Sequence, residues 1–260
     1  MAVKKTKTKV LWGRLIALCL AFVIILGTVV FGAVKLFSAI FSAPESTPPT
    51  VSQIEPPQNE PKVVYIETWN LKLVNADNPI ESGYDIPLSY IDRRWASSSS
   101  VQLDSRAVES FETMCKDAER DGASLFAASA YRSVELQERL FEKETTKHLN
   151  ANPGWTREQA EEKAATVVTR PGTSEHNLGL AIDINTDTED FKYTKEYKWL
   201  KNHAAEYGFI ERYPEDKTEI TGIIFEPWHY RYVGVEDAKR INELGMCLEE
   251  YVEYLKQGGN

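Results

Sequence analysis

The sequence predicts an α+β domain with a small antiparallel sheet flanked by helices, preceded by an apolar helix and a proline-rich linker. Helical periodicity occurs in segments 105–120, 133–148, 156–168, 195–207 and 236–256. Strand-like patterns occur in the shorter segments 124–130, 180–185, 220–225 and 230–233. Because the two kinds of segment do not alternate strictly, the pattern favours an antiparallel sheet over a doubly wound parallel one.

Polar residues stand where the predicted helices begin. Asp104 precedes the first helix and Ser133 opens the second, and both residue types accept hydrogen bonds from exposed backbone N–H groups. Thr156 opens the third helix, and Gln159 follows three residues later, which is the spacing of a capping box. Gly208 follows the fourth helix and predicts its end.

The segment 180–185 alternates in the way that a half-buried strand does. Leu180, Ile182 and Ile184 share one face, and the intervening residues share the other. The apolar face is expected to pack against the core. The alternation therefore places Asp183 on the opposite face, where a ligand of the protein is expected to lie.

Residues 15–34 form an apolar run without a charged side chain. At 1.5 Å per residue, this run is long enough to cross a hydrocarbon core of ~30 Å. Residues 1–14 are basic, so the positive-inside rule predicts a cytoplasmic tail, a single-pass anchor and a body outside the cell membrane. The alternative is a cleaved signal peptide ending near residues 41–43, although its apolar region is usually only about 7–15 residues long.

Residues 35–62 are predicted to be a proline-rich linker. From residue 44 onward this segment is rich in proline and polar residues and contains too few large apolar groups to form a core. The folded domain is predicted at residues 63–260. Residues 1–43 carry six basic and no acidic side chains, so the rest of the chain has a net charge of −15 against −9 overall. Such an acidic body argues against nucleic acid as a partner.

The cysteine pattern excludes some kinds of site. No C-x-x-C pair occurs, which removes thiolate zinc sites and thioredoxin-like chemistry from consideration. Cys115 and Cys247 are the two cysteines of the predicted domain. The sequence favours buried free thiols at both positions, and a disulfide between them is the alternative.

Two short clusters carry groups that bind metals and transfer protons. A hydrolytic zinc site needs three nitrogen or oxygen ligands and one open position, and His176, Asp183 and His229 are candidates for those ligands. Glu226 is close enough in sequence to His229 to accept a proton from a water at the metal. On a straight strand these two residues would lie on opposite faces, so the site requires a bend at Pro227. Spacing alone leaves ordinary buried histidines as the alternative.

At these positions the sequence resembles a known family of peptidases. The two clusters follow the pattern Ser174-x-His176-x-x-Gly179-x-Ala181-x-Asp183 and then Glu226-x-Trp228-His229. A third segment upstream follows the pattern Ser129-x-Tyr131-Arg132-Ser133, with Gln137 after it. In this order the motifs resemble the VanY-type D-alanyl-D-alanine carboxypeptidases, a zinc peptidase group that also includes D,D-dipeptidases and L,D-carboxypeptidases. The similarity covers roughly residues 64–250.

The resemblance implies a role for each of five residues. It implies that His176, Asp183 and His229 bind Zn²⁺. It implies that Glu226 acts as the general base and acid. Arg132 is then expected to stabilise the developing oxyanion or to hold the substrate, which suits its permanent charge and forked donors.

Three further residues, Gln137, Ser174 and Trp228, are candidate substrate-binding groups, with core packing as the alternative for Trp228. With the predicted anchor, the resemblance implies a membrane-bound peptidase that removes the terminal D-alanine from peptidoglycan stem peptides. An L,D-carboxypeptidase or an endopeptidase would use the same residues, and a non-catalytic wall-binding module is the alternative from another class. No serine is followed by lysine three residues later, which excludes a penicillin-sensitive serine peptidase.

Overall fold

The structure, a computed structural model, describes Tyr65 and residues 67–259. These residues belong to one unit of the chain, Pro61–Asn260. The predicted anchor at residues 15–34 and the predicted linker at residues 35–62 lie outside the described residues. Within the described part, none of the helices has the length and apolarity needed to cross a membrane.

Short strands form two antiparallel sheets in the described part of the chain. They are β1 (Leu88–Tyr90), β2 (Gln102–Asp104), β3 (Ala127–Ser129), β4 (Ala181–Ile184), β5 (Phe209–Glu211) and β6 (His229–Tyr232). β1 pairs with β2, and the larger sheet has the order β3-β4-β6-β5. Every pairing between these strands is antiparallel, which confirms the predicted α+β class.

The helices of the described chain include three that begin at predicted polar caps. The helices are α1 (Ser105–Arg120), α2 (Val134–Ala151), α3 (Arg157–Ala165), α4 (Lys195–His203), α5 (Thr218–Thr221), α6 (Val235–Leu244) and α7 (Leu248–Lys256). The Asp104 and Ser133 side chains accept backbone hydrogen bonds at the starts of α1 and α2. Thr156 and Gln159 form the predicted capping box of α3.

The main core lies between α1 and one face of the larger sheet. Phe111 of α1 is fully buried and packs edge-to-face against Phe209 of β5, with ring centroids 6.1 Å apart. Ile182 and Ile184 of β4 belong to the same cluster. Burying a side chain of this size contributes about 1.5–3 kcal/mol, so this face of β4 is fixed against the core. Asp183 consequently points to the other face of the sheet, as the alternation predicts.

A second apolar cluster joins the C-terminal helices to the edge of the sheet. Ile241 of α6 and Leu248 of α7 pack in one cluster with Ile210 of β5. Cys115 lies in the main core, and Cys247 directly precedes α7. Both cysteines are buried free thiols, which confirms the favoured state.

The predicted strand at residues 220–225 is wrong. Ile220 lies in the short helix α5, and Gly222 ends that helix with a φ of 72°. Ile220 and Ile224 are 47% and 39% exposed, so the apolar run is not buried as a strand would be. The physical reason is that the left-handed conformation of Gly222 turns the chain in the middle of the segment, which a continuous extended strand cannot contain.

Several predicted boundaries also differ from the structure, and the helix predicted at residues 156–168 ends at Ala165. The predicted helix at residues 236–256 is two helices, α6 and α7, because Gly245 adopts a left-handed conformation with a φ of 63°. The predicted helix at residues 195–207 changes to a 3-10 helix after His203. Of the predicted strand at residues 124–130, β3 alone pairs with a neighbour, and the sequence pattern did not predict β1 or β2.

Gly208 occupies a tight position between α4's 3-10 extension and β5. Its φ of 84° is a conformation that residues with a Cβ rarely adopt. A Cβ there would lie 2.8 Å from the ring of Tyr232 and 3.0 Å from the backbone of Gly234. Both the backbone conformation and the close packing therefore require glycine.

We expect Gly208→Ala to lower the free energy of unfolding by about 2–4 kcal/mol, the sum of left-handed strain and overpacking. Gly222→Ala is the matched control. Its φ is also positive, but no atom lies within 4 Å of the added Cβ, so the expected loss is about 1 kcal/mol. Urea denaturation measures both values, and equal losses would contradict the packing argument.

Candidate metal centre

Three candidate ligands converge on one face of the larger sheet. Asp183 in β4 pairs directly with His229 in β6, so the two side chains project side by side. His176 lies in a short 3-10 helix, Glu175–Leu178, immediately before β4. Gly179 ends this helix in the left-handed conformation, which turns the chain back and brings His176 over the strand.

The distances between the donor atoms fit a single zinc ion. Nε2 of His176 lies 3.3 Å from Oδ1 of Asp183, and Nδ1 of His229 lies 3.3 Å from the same oxygen. One donor atom from each residue lies within 4.8 Å of the other two. Bonds of about 2.0–2.1 Å meeting at a tetrahedral angle separate two ligand atoms by roughly 3.4 Å. The residues present therefore fit the ion in both chemistry and spacing.

The second ring nitrogen of each histidine faces away from the shared oxygen. Nδ1 of His176 lies 2.6 Å from the backbone oxygen of Ala130, which accepts its proton and leaves Nε2 available as a ligand. Nε2 of His229 faces Oε2 of Glu175 at 3.8 Å, which leaves Nδ1 toward Asp183. The two imidazoles thus present different nitrogens to one point.

Arg132 holds the other oxygen of the shared carboxylate. Its Nη2 donates to Oδ2 of Asp183, and its Nε donates to the Ser129 hydroxyl at 3.0 Å. Ser129 pairs with Asp183 across β3 and β4, so the sheet register places all three residues together. Asp183 is buried, which acts to raise its pKa, but His176 and Arg132 hold that pKa well below its usual range.

Glu226 lies beside the cluster but outside the ligand set. Its carboxylate is 3.5 Å from Nδ1 of His229, and the residue is 6% exposed. The backbone turns between the two, because the N–H of His229 donates to the Glu226 carbonyl and β6 begins only at His229. This turn contains Pro227 and is the bend that the sequence requires. Burial raises the pKa of Glu226 to about 7, and a nearby cation would lower it.

The charge distribution of the cluster attracts cations. Burial acts to lower the pKa of His229, but the carboxylates of Asp183 and Glu175 near its two ring nitrogens raise it to about 9. Without a metal, the acidic surroundings therefore draw a proton onto His229. A divalent cation between the three ligands would replace that proton as the positive partner of Asp183.

A cleft of about 720 Å³ opens over the cluster. All of the site residues predicted from the sequence line it: Arg132, Gln137, Ser174, His176, Asp183, Glu226, Trp228 and His229. Trp228 also packs against the main core. Gln137 is buried and donates its amide to the Thr169 carbonyl at 2.8 Å, while its own Oε1 has no partner among the described residues.

A buried ionic network that no sequence pattern indicated lies behind His229. Oε1 of Glu175 accepts from Nε of Arg212 at 2.8 Å and from Nη1 of Arg231 at 2.7 Å. Arg212 also donates to both carboxylate oxygens of Glu249, at 2.8 and 2.6 Å. Burial acts to raise the pKa of Glu175, and the two arginines hold it well below its usual range. The sequence does show that Glu175 precedes the predicted ligand His176 and that Arg231 follows His229 by two residues. No spacing rule, however, identifies such residues as ion-pair partners of each other.

Comparison with known proteins identifies the family. The VanY family model, described as D-alanyl-D-alanine carboxypeptidase, matches residues 100–235, just over half of the chain. The chain belongs to the VanY family. This confirms the resemblance drawn from the three sequence motifs.

A curated relative supports this assignment. A D-alanyl-D-alanine carboxypeptidase of Enterococcus faecalis is 42% identical over 186 residues, which cover 72% of this chain and 66% of the relative. The chain thus spans slightly less than two thirds of that relative's length.

Solved structures share the fold, and one of them contains zinc. The vancomycin-resistance D,D-pentapeptidase VanY, solved with Zn(II), is 41% identical with a TM-score of 0.62 and matches 71% of this chain and 99% of its own. VanYB, solved with D-alanine-D-alanine, is 42% identical with a TM-score of 0.63, over 72% and 98%. The L,D-carboxypeptidase LdcB is 34% identical with a TM-score of 0.61, over 70% and 84%. The likeness to the structure solved with Zn(II) and the fit of the His176, Asp183 and His229 cluster support Zn²⁺ as the cofactor.

We expect Asp183→Asn to weaken zinc binding by more than about 100-fold, which exceeds the usual cost of losing an outer-sphere partner. The change removes the charged ligand that both histidines face. Competition with a chromogenic chelator measures the affinity, and circular dichroism checks the fold. Asp187→Asn, the same change at an exposed position on the cleft, should bind zinc as the wild type does. Unaltered affinity in Asp183→Asn would refute the ligand assignment.

Proposed function

We propose that this chain is a membrane-anchored zinc peptidase that removes the terminal D-alanine from peptidoglycan stem peptides. The observation that carries the proposal is the buried carboxylate of Glu226, which lies 3.5 Å from a ligand atom of His229 while standing outside the ligand set. A site that only bound a metal would have no use for such a group. Hydrolysis needs a base next to the attacking water.

Each step of the hydrolysis has a residue suited to it. When bound, Zn²⁺ would polarise the scissile carbonyl and lower the pKa of water. Glu226 accepts a proton from the attacking water and then delivers it to the amino group of the departing D-alanine. The burial of Glu226 limits competition from bulk water for this proton.

Arg132 is suited to the negative charge that develops on the scissile carbonyl oxygen. Its contacts to Asp183 and Ser129 use two of the five guanidinium donors and fix the plane of the group at the cleft wall. The remaining donors can reach a substrate in the cleft. A fixed donor of this kind typically contributes about 10²–10³-fold to kcat.

The cleft also carries groups suited to holding a peptide. Gln137 lines the cleft, and its buried Oε1 lacks a partner in the described part of the chain, so a small movement of the side chain would let it accept an N–H from the substrate backbone. Ser174 offers a hydroxyl that makes no capping bond to the 3-10 helix after it. Trp228 supplies a partly apolar wall against which a methyl side chain can pack. The likeness to VanYB, solved with D-alanine-D-alanine, supports a D-alanine terminus as the ligand.

The membrane anchor is a proposal from the sequence. Residues 15–34 are apolar and follow a basic tail, which favours a single-pass protein with its catalytic domain outside the cytoplasm. The proline-rich linker would then hold the cleft away from the membrane surface. Peptidoglycan lies on that side of the membrane, so the substrate and the proposed topology agree.

A second candidate function is L,D-carboxypeptidase activity on tetrapeptide stems. The likeness to LdcB favours it, since that enzyme shares the fold at 34% identity. Both activities would use the same zinc ligands and the same base. The shape of the cleft around the residue before the scissile bond would distinguish them.

We expect Glu226→Gln to lower kcat by about 10²–10⁴-fold, the usual contribution of a general base, while the protein keeps its zinc. Glu144→Gln is the matched control, because Glu144 also lines the cleft but pairs with Lys147. Its kcat should stay within a few-fold of the wild type. Activity of Glu226→Gln equal to that of the control would refute the role of the base, and inactivity of the wild type on every muropeptide would favour a wall-binding module.

Defined stem peptides separate the two candidate activities. We expect the wild type to release D-alanine from a pentapeptide ending in D-alanyl-D-alanine, a chelator to abolish this activity, and a β-lactam to inhibit it poorly because no serine nucleophile is involved. Chromatography of the products measures each result. D-alanine released from the tetrapeptide but not the pentapeptide would replace the D,D assignment with the L,D one.

A further inference from the structure

Glu175 is a buried carboxylate whose two oxygen atoms differ in their contacts, since one accepts two hydrogen bonds and the other accepts none from the described residues. Its residue is 1% exposed, and its Oε1 accepts from two guanidinium groups, those of Arg212 and Arg231. Its Oε2 makes no hydrogen bond in the described structure. A buried carboxylate oxygen without a donor is costly, so a partner for Oε2 is expected.

The nearest candidate partner for Oε2 is Nε2 of His229, the ring nitrogen that faces away from Asp183. Nε2 of His229 lies 3.8 Å away, and this nitrogen is likewise buried without a hydrogen-bond partner in the described structure. The two atoms face each other across a gap that closes with a shift of less than 1 Å to hydrogen-bond length. A proton on Nε2 would satisfy both groups and leave Nδ1 deprotonated, facing Asp183.

We propose that Glu175 is the positioning residue of the zinc site: it accepts the Nε2 proton of His229 and so keeps Nδ1 of that ring free to bind zinc. The inference deepens the proposed function, since it concerns the same metal centre. Glu175 does not touch the substrate or the metal. It acts through the orientation and tautomer of His229, as carboxylates behind metal-bound histidines do.

Arg212 and Arg231 hold Glu175 in the orientation that this role requires. Arg231 donates from Nη2 to the backbone oxygens of Asn70 and Lys72, and Arg212 is clamped on its other side by Glu249. Both guanidinium groups are fully buried. Because both donate to Oε1, the carboxylate can rotate only by losing two charge-assisted hydrogen bonds, and Oε2 therefore stays toward His229.

Glu175→Gln tests this role because the two arginines dictate how glutamine must lie. Its amide oxygen has to face Arg212 and Arg231, which are donors, so its NH₂ group faces Nε2 of His229. That arrangement favours the tautomer with the proton on Nδ1, the nitrogen that should bind zinc. We expect zinc affinity to fall about 10–100-fold.

The matched control is Glu249→Gln. It makes the same change to the other carboxylate that contacts Arg212, yet Glu249 has no contact with His229. Both variants lose stability because each weakens a buried ion pair, but zinc affinity in Glu249→Gln should remain within about twofold of the wild type. Chelator competition on the full chain measures affinity, and urea denaturation of the metal-free proteins measures stability.

The outcomes are distinct. Wild-type zinc affinity in Glu175→Gln, or an equal loss in both variants, overturns the proposal and leaves Glu175 with a purely structural role. If Glu175→Gln does not fold, Glu175→Asp is the second variant. Its shorter side chain keeps a carboxylate beside the arginines but moves that carboxylate away from His229. Unchanged zinc affinity in Glu175→Asp also overturns the proposal. The readout needs no peptide, so a failure of the proposed peptidase activity would appear separately.

Discussion

The register between β4 and β6 is the constraint on which the site depends. Asp183 pairs directly with His229, so one sheet face presents a carboxylate and an imidazole at metal-binding distance. A slip of one residue would send one of them to the opposite face. The apolar side chains of Ile182 and Tyr230 prevent this slip, because they pair on the other face and lie in the main core. Packing on one side of the sheet thereby sets the chemistry on the other.

Buried charge is the second organising feature of the molecule. Arg212, Arg231 and Glu175 are fully buried, and each has counter-charges at hydrogen-bond distance. Such groups contribute little net stability, because desolvation offsets much of their attraction, but removing one partner is costly. Their value here is geometric. They form a stiff layer behind His229, whereas Arg132 does the same for Asp183 from the cleft side.

Sequence patterns correctly predicted the features that depend on neighbouring residues, namely helix caps and the alternation of one strand. The caps at Asp104, Ser133 and Thr156 and the alternation around Asp183 follow from neighbouring residues, and the structure agrees with them. The strand assigned to residues 220–225 was wrong because Gly222 adopts a left-handed conformation within the segment, which the apolar pattern does not reveal. The ligand set followed from motif resemblance. The Glu175 network did not, because its partners are 37 and 56 residues away in sequence and carry no spacing signature.

The ion pairs that join Glu175, Arg212 and Glu249 show how far along the chain the folded unit extends. The family match stops at residue 235, yet Glu249, which clamps Arg212, lies in α7. A fragment trimmed to the matched segment would keep every ligand and still expose one flank of Arg212 to solvent. The folded unit therefore extends beyond the matched segment to α7, whose first turn supplies the carboxylate that keeps this buried guanidinium paired.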